Sequence, residues 1–219
     1  MAQLEPLLAR LRANQRVRIA GRELVSHVAV PRLYEAAGWR LLWRDPRSLA
    51  ALRAALANLE RDGLDPADYH LDALTALAAD PGTRASPLRR AELDLLATDA
   101  LVVALHHLYY GKVDPVAIEP SWNVAARTPP DRGRLEYLQR AIATARIEAA
   151  FAGARPGYPL YEQAREALAE YRALAARGGW ESVPAGPVLR PGADDPRVPA
   201  LRRRLAVTGD HPPLGDDAA

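Results

Sequence analysis

The sequence predicts an all-α fold, with one helical domain followed by a partial helical C-terminal module. Alanine, leucine and arginine, all strong helix formers, dominate the chain. Leucines recur at helical spacing between readable helix-start and helix-stop residues. Runs of alternating β-branched residues are lacking, so strands are expected only in short segments near residues 17–19 and 39–43.

Helix starts are readable where an aspartate or serine precedes a proline. The first residue can cap the helix, and proline suits the first helical position. This pattern predicts helices that open at Asp45, Asp65 and Ser86. The helix that opens at Asp65 should carry Leu71, Leu74 and Leu77 and end at the turn Asp80-Pro81-Gly82. The other predicted helices lie near residues 4–11, 30–37, 134–151, 159–177 and 195–207.

The helix that opens at Ser86 should run to about Tyr110 and is the longest and most apolar. Apolar side chains cover more than one of its faces, which is typical of a buried, central helix. We therefore expect Leu101 or Val102 in the core. The proline-rich segment after it, residues 112–133, predicts a long loop of the kind that often carries function.

The composition excludes several classes of function. The 29 basic and 27 acidic residues nearly balance, which argues against a nucleic-acid-binding protein. Without cysteine, this chain has no thiol nucleophile, thiolate metal ligand or disulfide. No stretch has the roughly 20 apolar residues of a membrane-spanning helix, and no signal peptide is expected at the start. We predict no cofactor.

Five stretches of the chain together resemble the scaffold domain of the murein L,D-transpeptidase family, the large cell-wall L,D-transpeptidases. Each stretch is weak alone, and the combination is specific. The stretches are Leu33-Tyr34-Glu35-Ala36 with Leu42-Trp43, the motif at residues 62–70, residues 92–100, residues 110–115 with Trp122-Asn123, and Gly178-Gly179-Trp180.

A separate resemblance lies at the C-terminal end. Residues 189–192 and 195–205 are similar to the start of a peptidoglycan-binding module, which in that family follows the scaffold domain. The resemblance thus implies an N-terminal extension with a first helix at 1–29, a scaffold domain at 30–185, and a linker with the first helix of an incomplete module at 186–219. We expect either a fragment or a natural truncation.

The resemblance implies a role in which the scaffold positions peptidoglycan-binding and catalytic domains in the periplasm or cell envelope. The parent reaction is cysteine acyl transfer that forms 3→3 cross-links in murein, and this chain lacks both the cysteine and the catalytic domain. The expected partners are peptidoglycan, an L,D-transpeptidase catalytic domain and other cell-wall proteins. The alternative is a stand-alone envelope-binding or adaptor protein.

Candidate contact residues follow from the long loop and the arginine-rich last helix. Tyr110, Lys112, Trp122 and Asn123 combine aromatic rings with hydrogen-bonding groups, so they suit either a contact surface or anchoring of the loop. Arg202 belongs to an arginine run that is able to meet the carboxylates of peptidoglycan stems, although such runs are more often solvated faces.

Two polar groupings have an alternative chemical interpretation. The carboxylates of Asp65 and Asp68 beside His70 suit acid–base chemistry or a metal site, and the helix start explains both aspartates more simply. Glu92, Asp99 and His106 recur at intervals of seven. They predict either a polar interaction stripe or, as we favour, the less buried edge of the central helix.

Overall fold

The computed structural model describes residues 3–119, 121 and 133–212. The fold is all-α, as predicted, since the described residues form eleven α-helices, two short 3-10 helices and one two-stranded antiparallel sheet. None of the described helices is long and apolar enough to cross a membrane.

The helices and strands follow one another with short connections. The strands are β1 (Arg18–Ile19) and β2 (Arg22–Glu23), and the 3-10 helices are Asn58–Asp62 and Pro66–Tyr69. The α-helices are α1 (Leu4–Arg12), α2 (Ala29–Ala36), α3 (Pro46–Ala57), α4 (Leu71–Ala79), α5 (Pro81–Ala85), α6 (Pro87–Tyr110), α7 (Pro115–Ile118), α8 (Arg134–Ala143), α9 (Ile147–Ala154), α10 (Pro159–Ala176) and α11 (Val198–Thr208).

Helix α6 is the central element of the fold, as its apolar sequence predicted. Helices α1 to α5 and α9 all pack against it, and its buried residues extend from Ala91 to Leu108. Leu101 is fully buried, and Val102 is partly buried against the same core. A helix surrounded in this way buries more than one face, which explains why it lacks a polar stripe.

The predicted helix caps are present. The side chain of Asp45 accepts a hydrogen bond from the Arg47 amide, Asp65 from the Ala67 amide, and Ser86 from the Arg89 amide. Each cap satisfies an amide at the helix start that has no partner within the helix. The helix at Asp65 is a single 3-10 turn rather than the start of a longer α-helix.

The predicted single helix at residues 134–151 is wrong, because α8 and α9 are separate. Ala145 adopts a left-handed backbone conformation with φ of 54°. The Arg146 amide then bonds back to the Ala141 carbonyl at 2.9 Å, which ends α8. The turn brings Ile142 and Ile147 into the core from two helix directions, and this burial offsets the strain of a left-handed alanine.

Two shorter predictions also need correction. Residues 39–43 form no strand, because Trp39 has a φ of 59° and the amides of Leu42 and Trp43 donate to the Asp94 carboxylate instead of a neighbouring strand. The predicted turn after Asp80 continues as the short helix α5, which the Asp80 side chain caps.

The chain divides into two compact units, Met1–Tyr161 and Glu162–Ala219. In the second unit, the Trp180 ring lies edge-on to Tyr171 and under the Arg204 guanidinium, which is 4.7 Å from the ring centre. The domain boundaries implied by the resemblance, at residues 30 and 186, stay predictions.

Candidate interaction surface at the end of the central helix

The surface around the C-terminal end of α6 begins with the residue that ends the helix. Gly111 has a φ of 95°, a conformation that favours glycine, so the chain leaves the helix axis there. Lys112 follows directly and forms an ion pair with Asp68 in the 3-10 turn Pro66–Tyr69. The ion pair ties the start of the loop to the motif that Asp65 caps.

Beneath this ion pair, Tyr69 and His107 form a hydrogen bond. The Tyr69 hydroxyl lies 3.0 Å from Nδ1 of His107. Burial raises the pKa of Tyr69, with Asp68 and Asp65 adding to the effect. Burial, His106 and Lys112 lower the pKa of His107. At neutral pH the tyrosine therefore keeps its proton and the imidazole is neutral, so the hydrogen bond joins two uncharged side chains.

Aromatic rings continue from this pair toward the solvent. The His106 ring lies 5.9 Å from that of His107 and 4.7 Å from that of Tyr110. Tyr109 meets Tyr110 edge-on at 5.0 Å. Such ring contacts are favourable, and they connect the exposed Tyr110 through His106 and His107 to the buried Tyr69.

The segment that follows exposes apolar side chains. Val113 is 63% exposed and Ile118 is 70% exposed, and the short helix α7 buries none of its residues. Tyr110 and Val116 are exposed as well. We define the helix-end surface as Tyr110, Lys112, Val113, Val116 and Ile118. Exposed apolar residues clustered beside a charged one are typical of contact surfaces.

The structure brings together only part of the predicted contact residues. Tyr110 and Lys112 lie on the helix-end surface. Trp122 and Asn123 fall outside the described residues. Arg202 is exposed on α11, in the second unit, so it belongs to a separate body. The assignment of these five residues to a contact surface stays a prediction.

The aspartates and histidine of the 62–70 motif are all engaged with other parts of the fold. Asp65 caps Ala67, Asp68 pairs with Lys112, and Nε2 of His70 lies 3.0 Å from the buried Asp99 carboxylate. Within residues 3–119, 121 and 133–212, no three His, Asp or Glu side chains are placed to hold a metal ion.

Asp99 corrects the expectation for the Glu92, Asp99 and His106 stripe. His106 is exposed, but Asp99 is fully buried, so the three do not share one less buried edge of α6. The Asp99 carboxylate accepts hydrogen bonds from the backbone amides of Val25 and Ser26, at 3.2 and 2.8 Å. Its burial is satisfied by these donors and by His70.

A second buried carboxylate, that of Asp94, was not singled out from the sequence. It accepts the Tyr34 hydroxyl at 2.5 Å and the amides of Leu42 and Trp43 at 2.9 Å each. The Trp43 indole nitrogen in turn donates to the Thr98 hydroxyl at 2.9 Å. The sequence gives one weak indication of this site, because an aspartate inside an apolar helix needs buried hydrogen-bond partners.

Comparison with known families now places the chain. The family model described as Scaffold domain matches residues 28–168. The chain belongs to the scaffold-domain family. No curated protein matches it.

The scaffold-domain match covers most of the geometry above, except residues 25–26, whose amides bind Asp99. It runs from the residue before α2 through α9 and into α10, so it includes Asp94, Asp99 and the whole helix-end surface. It does not include α11, so Arg202 and the segment that resembles a peptidoglycan-binding module lie outside it.

Proposed function

We propose that this scaffold domain is the non-catalytic portion of an L,D-transpeptidase-like protein that acts in peptidoglycan synthesis or remodelling. In this role it holds peptidoglycan-binding and catalytic domains in a working arrangement, in the periplasm or cell envelope. The observation that carries the proposal is the scaffold-domain match over residues 28–168, in a chain whose motifs resemble the large cell-wall L,D-transpeptidases.

The buried hydrogen bonds that fix loops to the core suit a positioning role. Two buried carboxylates on α6 hold the segments at residues 25–26 and 42–43 by their backbone amides. A domain that positions two other domains needs loops that are held rigidly against its core, because a small misplacement of reacting groups slows catalysis strongly.

The chemistry would belong to another domain. Acyl transfer of this kind uses an activated cysteine thiolate, and the chain has no cysteine. The best candidate acid–base groups here are all engaged: Asp65 is a cap, Asp68 pairs with Lys112, and His70 is hydrogen-bonded to Asp99. We propose that the chain contributes position and contact to the reaction and no nucleophile.

The proposal is tested by the cross-links of the cell wall. Residues 28–168 are deleted in frame from the chromosomal gene, and digested murein is analysed by liquid chromatography and mass spectrometry. The fraction of 3→3 cross-linked muropeptides should fall as far as it does when the whole gene is deleted. A fraction equal to that of wild-type cells in both strains would overturn the proposal.

A second candidate function is that of a stand-alone envelope-binding or adaptor protein. It is favoured by the exposed apolar side chains of the helix-end surface, which suit a docked partner. The purified chain is mixed with isolated peptidoglycan sacculi over a salt series and sedimented. Retention through moderate salt that is lost in the Tyr110→Ala and Lys112→Ala double variant, and kept in Arg61→Ala, would support this candidate.

A further inference from the structure

A cleft lies beside the loop that Asp94 holds, separate from the helix-end surface. Its volume is about 310 Å³, at the lower end of the roughly 300–1,000 Å³ of small-ligand sites. Residues from the segment before α3 and from the first turns of α6 line it. The lining residues are Leu41, Trp43, Arg44, Arg90, Leu93 and Asp94.

The polar groups at the floor of the cleft are already bonded. Oδ1 of Asp94 accepts the Tyr34 hydroxyl and the Leu42 amide, and Oδ2 accepts the Trp43 amide. The Trp43 indole N–H is donated to Thr98. These groups therefore offer few polar contacts to a ligand, which leaves the donors of Arg44 and Arg90.

Those two arginines differ from their neighbours in the chain. Arg47 is paired with Asp45, and Arg89 is paired with Asp80. Across residues 3–119, 121 and 133–212, Arg44 and Arg90 have no ion pair and no side-chain hydrogen bond. Two arginines without carboxylate partners at one cleft attract an anion, and guanidinium geometry suits a carboxylate or a phosphate group.

The walls add an apolar requirement. Leu41, Trp43 and Leu93 line the same cleft as Arg44 and Arg90. A ligand that carries a carboxylate and an apolar group a few bonds apart satisfies both requirements. The last residue of a peptide does so when its side chain is apolar, since its α-carboxylate and side chain share one carbon.

We propose that this cleft binds the C-terminal end of a peptide whose last residue is apolar, with Arg44 and Arg90 contacting the terminal carboxylate. Leu41, Leu93 and Trp43 enclose the last side chain. The site acts on a free peptide end whether or not the chain supports a transpeptidase, so it goes beyond the positioning role.

The test uses the full chain and three short probes. The probes are acetyl-Gly-Ala-Leu with a free carboxyl group, the same peptide as its C-terminal amide, and acetyl-Gly-Glu-Leu amide, whose only carboxylate is on a side chain. Binding is followed near neutral pH by calorimetry and by amide shifts in ¹⁵N-labelled protein. The free acid should bind saturably and shift the Leu42, Trp43 and Leu93 amides.

The amide should bind about tenfold more weakly or worse, because it loses a charge-assisted hydrogen bond. Arg44→Ala and Arg90→Ala should each weaken the acid about tenfold, the double variant should abolish binding, and Arg61→Ala, an exposed arginine outside the cleft, should bind as wild type. Both cleft arginines are exposed, and unchanged circular dichroism and Tm confirm folding of the variants.

Several results would overturn the proposal. Wild-type protein that shows no saturable binding of the free acid has no such site. Equal affinity for acid and amide removes the role of the terminal carboxylate, and glutamate-peptide binding as tight as that of the acid assigns the cleft to side-chain carboxylates instead. Arginine variants that bind as wild type place any binding elsewhere.

Discussion

At the level of single residues, the two buried aspartates of α6 have different hydrogen-bond partners. Asp99 is surrounded by two backbone amides and His70. Asp94 is surrounded by two amides and the Tyr34 hydroxyl, and burial raises its pKa from the ordinary value of 3.8 to about 6 despite these donors. Burial and the neighbouring Asp94 also raise the pKa of Tyr34, so the tyrosine stays a donor.

The raised pKa of Asp94 makes folding stability depend on pH. The folded chain binds this proton more tightly than the unfolded chain, so the contribution is fully present below about pH 4 and is lost as pH rises to about 6. Each unit between the two pKa values corresponds to roughly 1.4 kcal/mol, so about 3 kcal/mol is lost over this range.

Urea unfolding of wild type and Asp94→Asn between pH 4 and 8 isolates this contribution, because asparagine does not titrate. The free energy of unfolding of wild type should fall relative to the variant from pH 4 to about 6 and then run parallel to it. A wild-type advantage that grows with pH would show that the three donors hold the carboxylate ionised.

Substitution of Leu101 tests whether α6 lies at the centre of the core. Its side chain is fully buried at the middle of α6, so Leu101→Ala should lower the free energy of unfolding by roughly 2–5 kcal/mol. Leu88 lies on the same helix and is 44% exposed, which makes Leu88→Ala the matched control, with a much smaller loss. Equal losses from the two variants in chemical denaturation would contradict the central position of α6.

Among the elements, the end of α9 is fastened by a buried ion pair. Nη2 of Arg155 lies 2.9 Å from Oδ2 of Asp62, and the Tyr161 hydroxyl donates to Oδ1 of the same carboxylate at 2.9 Å. Asp62 belongs to the 3-10 helix that follows α3. The pair thus joins two elements that are 93 residues apart in the chain.

Removing one member of this buried pair should lower the free energy of unfolding strongly. Asp62→Ala leaves the Arg155 guanidinium and the Tyr161 hydroxyl without this acceptor, and a loss of roughly 3–5 kcal/mol is expected. Arg155 also contacts Glu148, whose side chain is exposed to solvent, so Glu148→Ala should lose under about 1 kcal/mol. Thermal and urea unfolding of the two variants checks the contrast, and similar losses would contradict it.

The helix starts could be predicted from the sequence because the capping residues act locally. The caps at Asp45, Asp65 and Ser86 act on amides two or three residues away, so the sequence shows them directly. The break at Ala145 was missed because its neighbours are ordinary helix formers. What bends the chain there is the burial of Ile142 and Ile147, which depends on the packing of other helices.

For the molecule as a whole, the sequence predicts part of the helix-end surface but not the buried contacts of Asp94, because those contacts depend on tertiary packing. Tyr110 and Lys112 follow directly from where α6 ends. The partners of Asp94 come from residues 34, 42 and 43, more than 50 residues away in the chain. No local pattern indicates such contacts, and an aspartate within an apolar helix was the only hint.

We propose that an intact scaffold domain supports 3→3 cross-linking by an L,D-transpeptidase. The most direct test places Asp99→Ala in the chromosomal gene, since Asp99 is fully buried and holds residues 25–26 and His70. Arg61→Ala, which changes an exposed residue, is the control. We expect the 3→3 fraction of murein to fall with Asp99→Ala and to stay unchanged with Arg61→Ala. A wild-type 3→3 fraction in cells whose Asp99→Ala domain is shown to be unfolded would contradict it.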